Sequence, residues 1–375
     1  MKNKKDHFSS IPGIFGVLWR NYEKNPDKLV ICVGNEQITY KELVEKGDQI
    51  ATALYEMGIR KGDRVGILIP NSINWYLFLY GIVRLGAVVV PFDPQIGEHE
   101  IKYLFDKIGV RIILVAPKFR GLDHSGIITN LRSELLDLQK IIIDGDCEED
   151  GFHIAFNSLL FCNDTSILNK FHFSMDRENS NIFFCTTGST GNPKIVDVPC
   201  RIIDDNIVRN AVRWGFKNND RFLLSMPLYH CAGFGWGLSC LSIGGSICYE
   251  KIFSPSAFLE QIQQEKVTKI LITPTIAKIL LTHPKFAVYN LTSLNEVIFT
   301  GESLSDELAY KFVDGLNLRV VNALGMTETF VYLDWDSIRD KGVSANNLSQ
   351  IPMINIKIIN KKVQSVSQMK QVSFI

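Results

Sequence analysis

Short apolar runs alternate with helix-length segments early in the chain, and few folds satisfy that alternation. RVGILIP (64–70) has strand length and ends on a proline, NWYLFLYGIVRLG (74–86) has the length and pattern of a helix, and AVVVPF (87–92) is a second apolar run. HEIKYLFDKIG (99–109) and VRIILVAP (110–117) repeat the theme. Upstream, the segment beginning ITYKEL puts Leu43, Ile50, Ala53, Leu54 and Met57 on one helical face, with Thr39 placed to cap it. Strand–helix–strand units in series predict a mostly parallel sheet covered by helices.

A second series follows. Strands are expected at NIFFCTT, IVDVP, DRFLLSMP, GGSICYE, VTKILITP, EVIFTG and LRVVNAL, and helices at DDNIVRNAVRWG, SAFLEQIQQEK and DELAYKFVDG. Residues 144–180 between the two series are polar and read as a surface connection. The fold class is therefore α/β, with two helix-covered, mostly parallel sheets. The expected organisation is a tail over 1–14, a domain over 15–360 with lobes of 15–175 and 176–360, and an irregular tail over 361–375.

Charge narrows the partners. Lys plus Arg and Asp plus Glu are 40 each, and that balance lacks the basic excess of a nucleic-acid binder. The longest apolar stretch, Trp75 to Phe92, is broken by Arg84 and punctuated by Gly81, Gly86 and Pro91. It reads as a buried helix and strand, not as a membrane span. The basic start MKNKKDHFSS has no apolar segment behind it, so no signal peptide is expected. None of the eight cysteines pair as C-x-x-C, and most sit in apolar runs. That usage suits small buried hydrophobes in a reducing compartment, the cytoplasm.

The segment with the clearest chemistry is Thr186-Thr187-Gly188-Ser189-Thr190-Gly191-Asn192-Pro193-Lys194, reached directly from an apolar strand. Two glycines let backbone N–H groups converge on an anion. The hydroxyls add donors and Lys194 adds a positive charge. It is not the G-x-x-x-x-G-K-[ST] loop: no Ser or Thr follows the Lys, and a strand rather than a helix is expected next. A polar hairpin turn with a chance Lys is the plainer alternative.

The loop resembles the signature of the adenylate-forming (AMP-binding) superfamily: acyl- and aryl-CoA ligases, luciferases and peptide-synthetase adenylation domains. Other motifs that resemble the family's occur in its order. They are Ile38–Leu43 (ITYKEL), Pro227-Leu228-Tyr229-His230, Thr300-Gly301-Glu302-Ser303-Leu304 and Asn322-Ala323-Leu324-Gly325-Met326-Thr327-Glu328. The resemblance runs from about Phe15 to Asn360 and implies the family's large N-terminal domain.

The resemblance implies ATP- and Mg²⁺-dependent joining of a small-molecule carboxylic acid to AMP, with release of pyrophosphate. Thr187, Ser189, Thr190 and Lys194 would handle the β- and γ-phosphates, Thr327 the α-phosphate, and Glu328 the Mg²⁺. Thr186, Gly188 and Gly191 complete the loop. Gly301, Glu302, Ser303, Asn322, Ala323, Leu324 and Gly325 would surround adenine. His230, which read alone is a core histidine, would stand beside the acyl pocket, with Phe234 and Trp236 near the acyl body. Thr327-Glu328 read alone is a helix start.

Two departures from the family pattern stand out. Leu324 occupies the place of an aromatic that stacks on adenine. The T-G-D motif and the small C-terminal domain with its catalytic Lys are not found. Transfer to coenzyme A or a carrier-protein thiol is then expected to need a separately supplied C-terminal domain. The alternative is a truncated, catalytically weak or inactive nucleotide- or acyl-binding module, or one half of a split ligase. Cys231–Leu238 contains no acidic residue, so an acid without a free α-amino group is expected.

Overall fold

The computed structural model describes residues 11–162, 164–170, 177–186, 192–250, 252–351 and 372–373. In chain order its strands are β1 (Leu29–Val33), β2 (Glu36–Thr39), β3 (Arg64–Leu68), β4 (Val88–Pro91), β5 (Val110–Val115), β6 (Lys140–Ile143), β7 (His153–Ala155), β8 (Ser180–Thr186), β9 (Lys194–Pro199), β10 (Arg221–Leu224), β11 (Ser246–Tyr249), β12 (Lys269–Ile272), β13 (Glu296–Thr300), β14 (Arg319–Met326), β15 (Phe330–Asp336), β16 (Asn347–Gln350) and β17 (Val372–Ser373). They form a seven-stranded sheet, β7-β6-β5-β3-β4-β8-β9, and a ten-stranded sheet, β17-β16-β15-β14-β13-β12-β10-β11-β1-β2. The interior pairs β3–β4, β3–β5, β10–β12 and β12–β13 are parallel, as expected, while β8–β9, β14–β15 and β15–β16 are antiparallel.

The sheets do not divide at residue 175. Early β1 joins the larger sheet beside β11, with Cys32 opposite Cys248, and β8 joins the smaller one beside β4, with Val89 opposite Ile182. The run LVICV explains the first exchange. Val30, Ile31, Cys32 and Val33 are all buried, which needs a neighbour on each edge and a layer on each face. The first helix, Gly13–Lys24, begins inside the expected N-terminal tail because Ile11, Ile14 and Phe15 are core residues. The 144–180 connection is also more than surface: Phe152, Phe156, Leu159 and Leu168 are buried. In the expected irregular tail, Val372 pairs with Leu348 and Ser373 with Asn347. The other residues of 361–375 lie outside the described set.

Local signals explain the helices. Thr39 and Glu42 form the reciprocal capping box that starts Tyr40–Glu56. Helix Ile73–Arg84 is buried on every face, which its uniformly apolar sequence permits. It crosses Tyr40–Glu56 closely: a Cβ on Gly47 would lie 2.2 Å from the Tyr80 ring, and one on Gly81 would lie 2.6 Å from Ile50. Among the described residues no helix is long and apolar enough to cross a membrane.

At the N-terminal edge of the larger sheet, a row of charges spans three parallel strands. Glu296 accepts from Lys269 at 2.8 Å and from Arg319 at 2.8 Å, and Arg319 also pairs with Asp336. Burial raises the Glu296 pKa, opposed by the two cations. The opposite, C-terminal edge is free of this clamp, and the cavities open there.

Candidate active site

Strand β13 ends at Thr300 and turns sharply at Gly301, whose φ of 86° suits a residue without a Cβ. Thr300 donates to the Ala323 carbonyl at 2.9 Å, fixing the ends of β13 and β14 together. Glu302 is held by the N-terminus of helix Pro274–Leu281, accepting from the Thr275 amide at 3.2 Å and its hydroxyl at 2.7 Å. Ser303 donates to Asn346 at 3.1 Å. Asn322 is buried and donates to the Ala345 carbonyl at 2.9 Å, so its side chain anchors a loop.

Thr327-Glu328 is not a helix start. Strand β14 continues to Met326, and the chain reverses through a turn into β15, with Thr329 N–H donating to the Met326 carbonyl at 3.2 Å. Gly325 makes the reversal possible: a Cβ there would sit 2.5 Å from the Phe330 carbonyl oxygen. A register shift between Leu324 and Gly325 marks the same spot. The Thr327 hydroxyl lies 3.5 Å from the Cys231 sulfur.

Strands β8 and β9 form the hairpin expected around the Gly/Ser/Thr loop, with Thr186 opposite Lys194. Thr187, Gly188, Ser189, Thr190 and Gly191 lie outside the described residues. Lys194 is exposed at the hairpin's open end and makes no hydrogen bond or salt bridge to another described residue.

His230 is the N-cap of helix Cys231–Ser242, its Nδ1 accepting from the Ala232 N–H at 3.2 Å. Burial lowers its pKa, with Asp93 opposing. A neutral ring accepting at Nδ1 carries its proton on Nε2.

These pieces meet at one cavity of about 600 Å³. It is lined by Thr186, Lys194, His230, Gly301, Glu302, Ser303, Asn322, Ala323, Leu324, Gly325, Thr327 and Glu328. Every described member of the sequence-derived site is present. A family model described as AMP-binding enzyme matches residues 18–368. The chain belongs to the AMP-binding enzyme family.

Its relatives within the family differ in the acid they are named for. The chain is 26% identical over 371 residues to the mitochondrial medium-chain acyl-CoA ligase ACSF2 of Mus musculus, covering 90% of this chain and 59% of that protein. It is 26% identical over 312 residues to the feruloyl-CoA synthase of Amycolatopsis sp., covering 82% of this chain and 58% of that protein. Among solved structures it resembles the anthranilate CoA ligase AuaEII in complex with anthranoyl-AMP, with a TM-score of 0.83 and 21% identity, covering 96% of this chain and 69% of that one. The chain thus spans 58–59% of the length of these two curated relatives.

The residues fit the nucleotide and metal such an AMP-binding site implies. Glu328 is exposed at the hairpin turn and, like Lys194, has no hydrogen bond or salt bridge to another described residue. A cation and a carboxylate left free on one cavity wall suit phosphate and Mg²⁺. Leu324 is half-buried over the same space. A second cavity, about 410 Å³, shares Thr186, His230, Cys231 and Thr327 with the first.

The sequence reading missed part of the larger cavity. Asn206 and Ile207 reach it from a π-helical turn, Ile203–Val208, and Trp214, Ser239 and Val331 line it too. The sequence hint was weak: a π turn has no pattern distinct from the flanking helix. Trp236 lines the cavity as expected. Phe234 does not. It packs in the core against Phe184, with ring centroids 5.8 Å apart, and against Trp75 at 6.2 Å.

Proposed function

We propose that this chain adenylates a carboxylic acid at the larger cavity. The observation that carries the reading is the cavity's polarity. A free cation and a free carboxylate, Lys194 and Glu328, stand at one end, and a groove walled by Ile207, Gly235, Trp236 and Phe330 runs from the other. In the reaction an oxygen of the acid attacks the α-phosphorus of ATP, a new P–O bond forms, and the bond to pyrophosphate breaks. No protein nucleophile is required.

The side chains then have separable tasks. Lys194 balances the charge that builds on pyrophosphate. The Thr327 hydroxyl is placed to donate to the α-phosphate, and Glu328 would hold the Mg²⁺ that accompanies ATP. His230 offers Nε2–H to the acid's carboxylate. Gly301, Leu324 and Gly325 leave a flat slot for adenine between the ends of β13 and β14. The second cavity opens onto the same centre at His230 and Thr327, so a thiol such as that of coenzyme A entering there would reach the acyl carbonyl. The groove carries no acidic residue to pair with a substrate ammonium, which favours an acid with no α-amino group.

Carboxylate-dependent ATP–pyrophosphate exchange with a panel of acyl, aryl and amino acids tests the reading. Exchange with simple acids supports it. Nucleotide binding without exchange for any acid would favour a binding module, and an amino acid outperforming all simple acids would overturn the substrate class.

A further inference from the structure

The apolar groove follows one face of helix Cys231–Ser242. Cys231, Gly235 and Ser239 line the cavity at successive four-residue steps, so small side chains open a channel along that face. Gly235 has no room to be larger, because a Cβ there would lie 2.6 Å from the Phe330 ring. From Cys231 at the reaction centre to Ser239, eight residues of helix rise about 12 Å. An extended chain advances 3.3–3.6 Å over three bonds, so the groove takes about ten bonds.

The far end is closed by aromatic rings. Trp214 and Trp236 pack with centroids 4.1 Å apart, inclined at 44°. Behind Trp236 lies Phe216, itself edge-on to Phe222, so solid core follows and not a tunnel. Trp214 cannot swing freely. Its indole N–H donates to Asp334 Oδ2 at 3.1 Å. Asp334 is 1% exposed and is gripped by both Arg213 nitrogens at 2.9 Å and by Arg339 at 2.8 Å. Burial alone would raise the Asp334 pKa, but these partners hold it below the ordinary value.

We propose that the Trp214–Trp236 wall, fixed from behind by Asp334, limits this chain to acids of short or medium length or with a single ring, and excludes long-chain fatty acids. Asp334 is a positioning residue: it acts on the substrate only through Trp214. The inference rests on the acid-adenylating reading above.

The test is a titration of the whole chain with non-hydrolysable acyl-sulfamoyl adenosines carrying straight chains from two to sixteen carbons. Affinity should rise about three- to four-fold per methylene, stop rising near ten carbons, and fall at least ten-fold by sixteen. In Trp236→Ala the maximum should move to chains several carbons longer. Trp214→Phe keeps a ring but loses the bond to Asp334, and it should blur the cutoff while melting temperature changes little. It also serves if Asp334→Asn fails to fold. Affinity rising steadily to sixteen carbons, or an unmoved maximum in Trp236→Ala, would overturn the wall and leave the adenylation reading intact. No binding of any member, including the two-carbon one, would overturn both.

Discussion

Thr186 and Lys194 are cross-strand partners at the open end of the β8–β9 hairpin, and both line the larger cavity. The pairing fixes where the Lys194 backbone stands while leaving its ammonium without a protein partner among the described residues. Lys194→Ala should therefore cost little stability and much activity. Pyrophosphate exchange should fall by about 100–1000-fold, the scale of losing one pre-placed electrostatic donor. The melting temperature should stay within a degree or two. An unchanged exchange rate would remove Lys194 from the phosphate site.

Leu324 faces Leu333 across the β14–β15 hairpin and borders the cavity where adenine is proposed to lie. Leucine covers a ring without the preferred stacking geometry. Leu324→Tyr should add about 0.5–1.5 kcal/mol to nucleotide binding, a gain of a few-fold in ATP affinity by calorimetry. Equal or weaker binding would put adenine elsewhere.

Gly235 and Phe330 touch where the acyl groove narrows. Phe330 has a φ of 56° and is itself tightly placed. Gly235→Ala should thus force the ring to move, destabilising the chain by about 1–3 kcal/mol and weakening acid binding more than ATP binding. A variant with wild-type melting temperature and unchanged acid affinity would show that the ring yields without cost.

Much of this was legible in the sequence because the site is built at strand ends. Apolar runs predict β3, β4, β5, β12 and β13, and the motif residues Thr300–Ser303 and Asn322–Glu328 follow such runs directly. What the sequence hid depends on distant neighbours. LVICV becomes an interior strand of the other sheet only because β11 lies beside it. Thr327-Glu328 looks like a helix start until Gly325 lets Phe330 cross over it and β15 return. Phe234 and Trp236 are two residues apart on one helix, yet one faces the core and the other the cavity. Glycines on all sides gave no apolar stripe from which to assign the faces. Asp334 reads as an exposed acid until Arg213, more than a hundred residues earlier, is seen against it.

Glu250 gives a prediction about pH. It follows β11 and borders a small cavity of about 200 Å³ shared with Asp93, Arg120 and Tyr229. Its Oε1 is buried with no hydrogen-bond partner, and its Oε2 accepts only a long bond, 3.3 Å, from the Ser254 amide. Burial pushes its pKa up to about 7 from an ordinary 4.5. The folded chain therefore holds this proton more tightly than the unfolded chain does. Glu250's contribution is fully present below about pH 4.5 and is lost as pH rises through about 7, where the folded state must bury an unpaired charge. Glu250→Gln keeps the shape and removes the titration. The variant and the parent should melt together near pH 4.5, and at pH 8 the variant should melt roughly 1–4 °C higher. Thermal melts of both proteins in the same buffers across that range isolate the effect from every other titrating group. A difference that stays constant with pH would mean that the carboxyl finds a partner, such as water in the small cavity, that keeps its charge solvated.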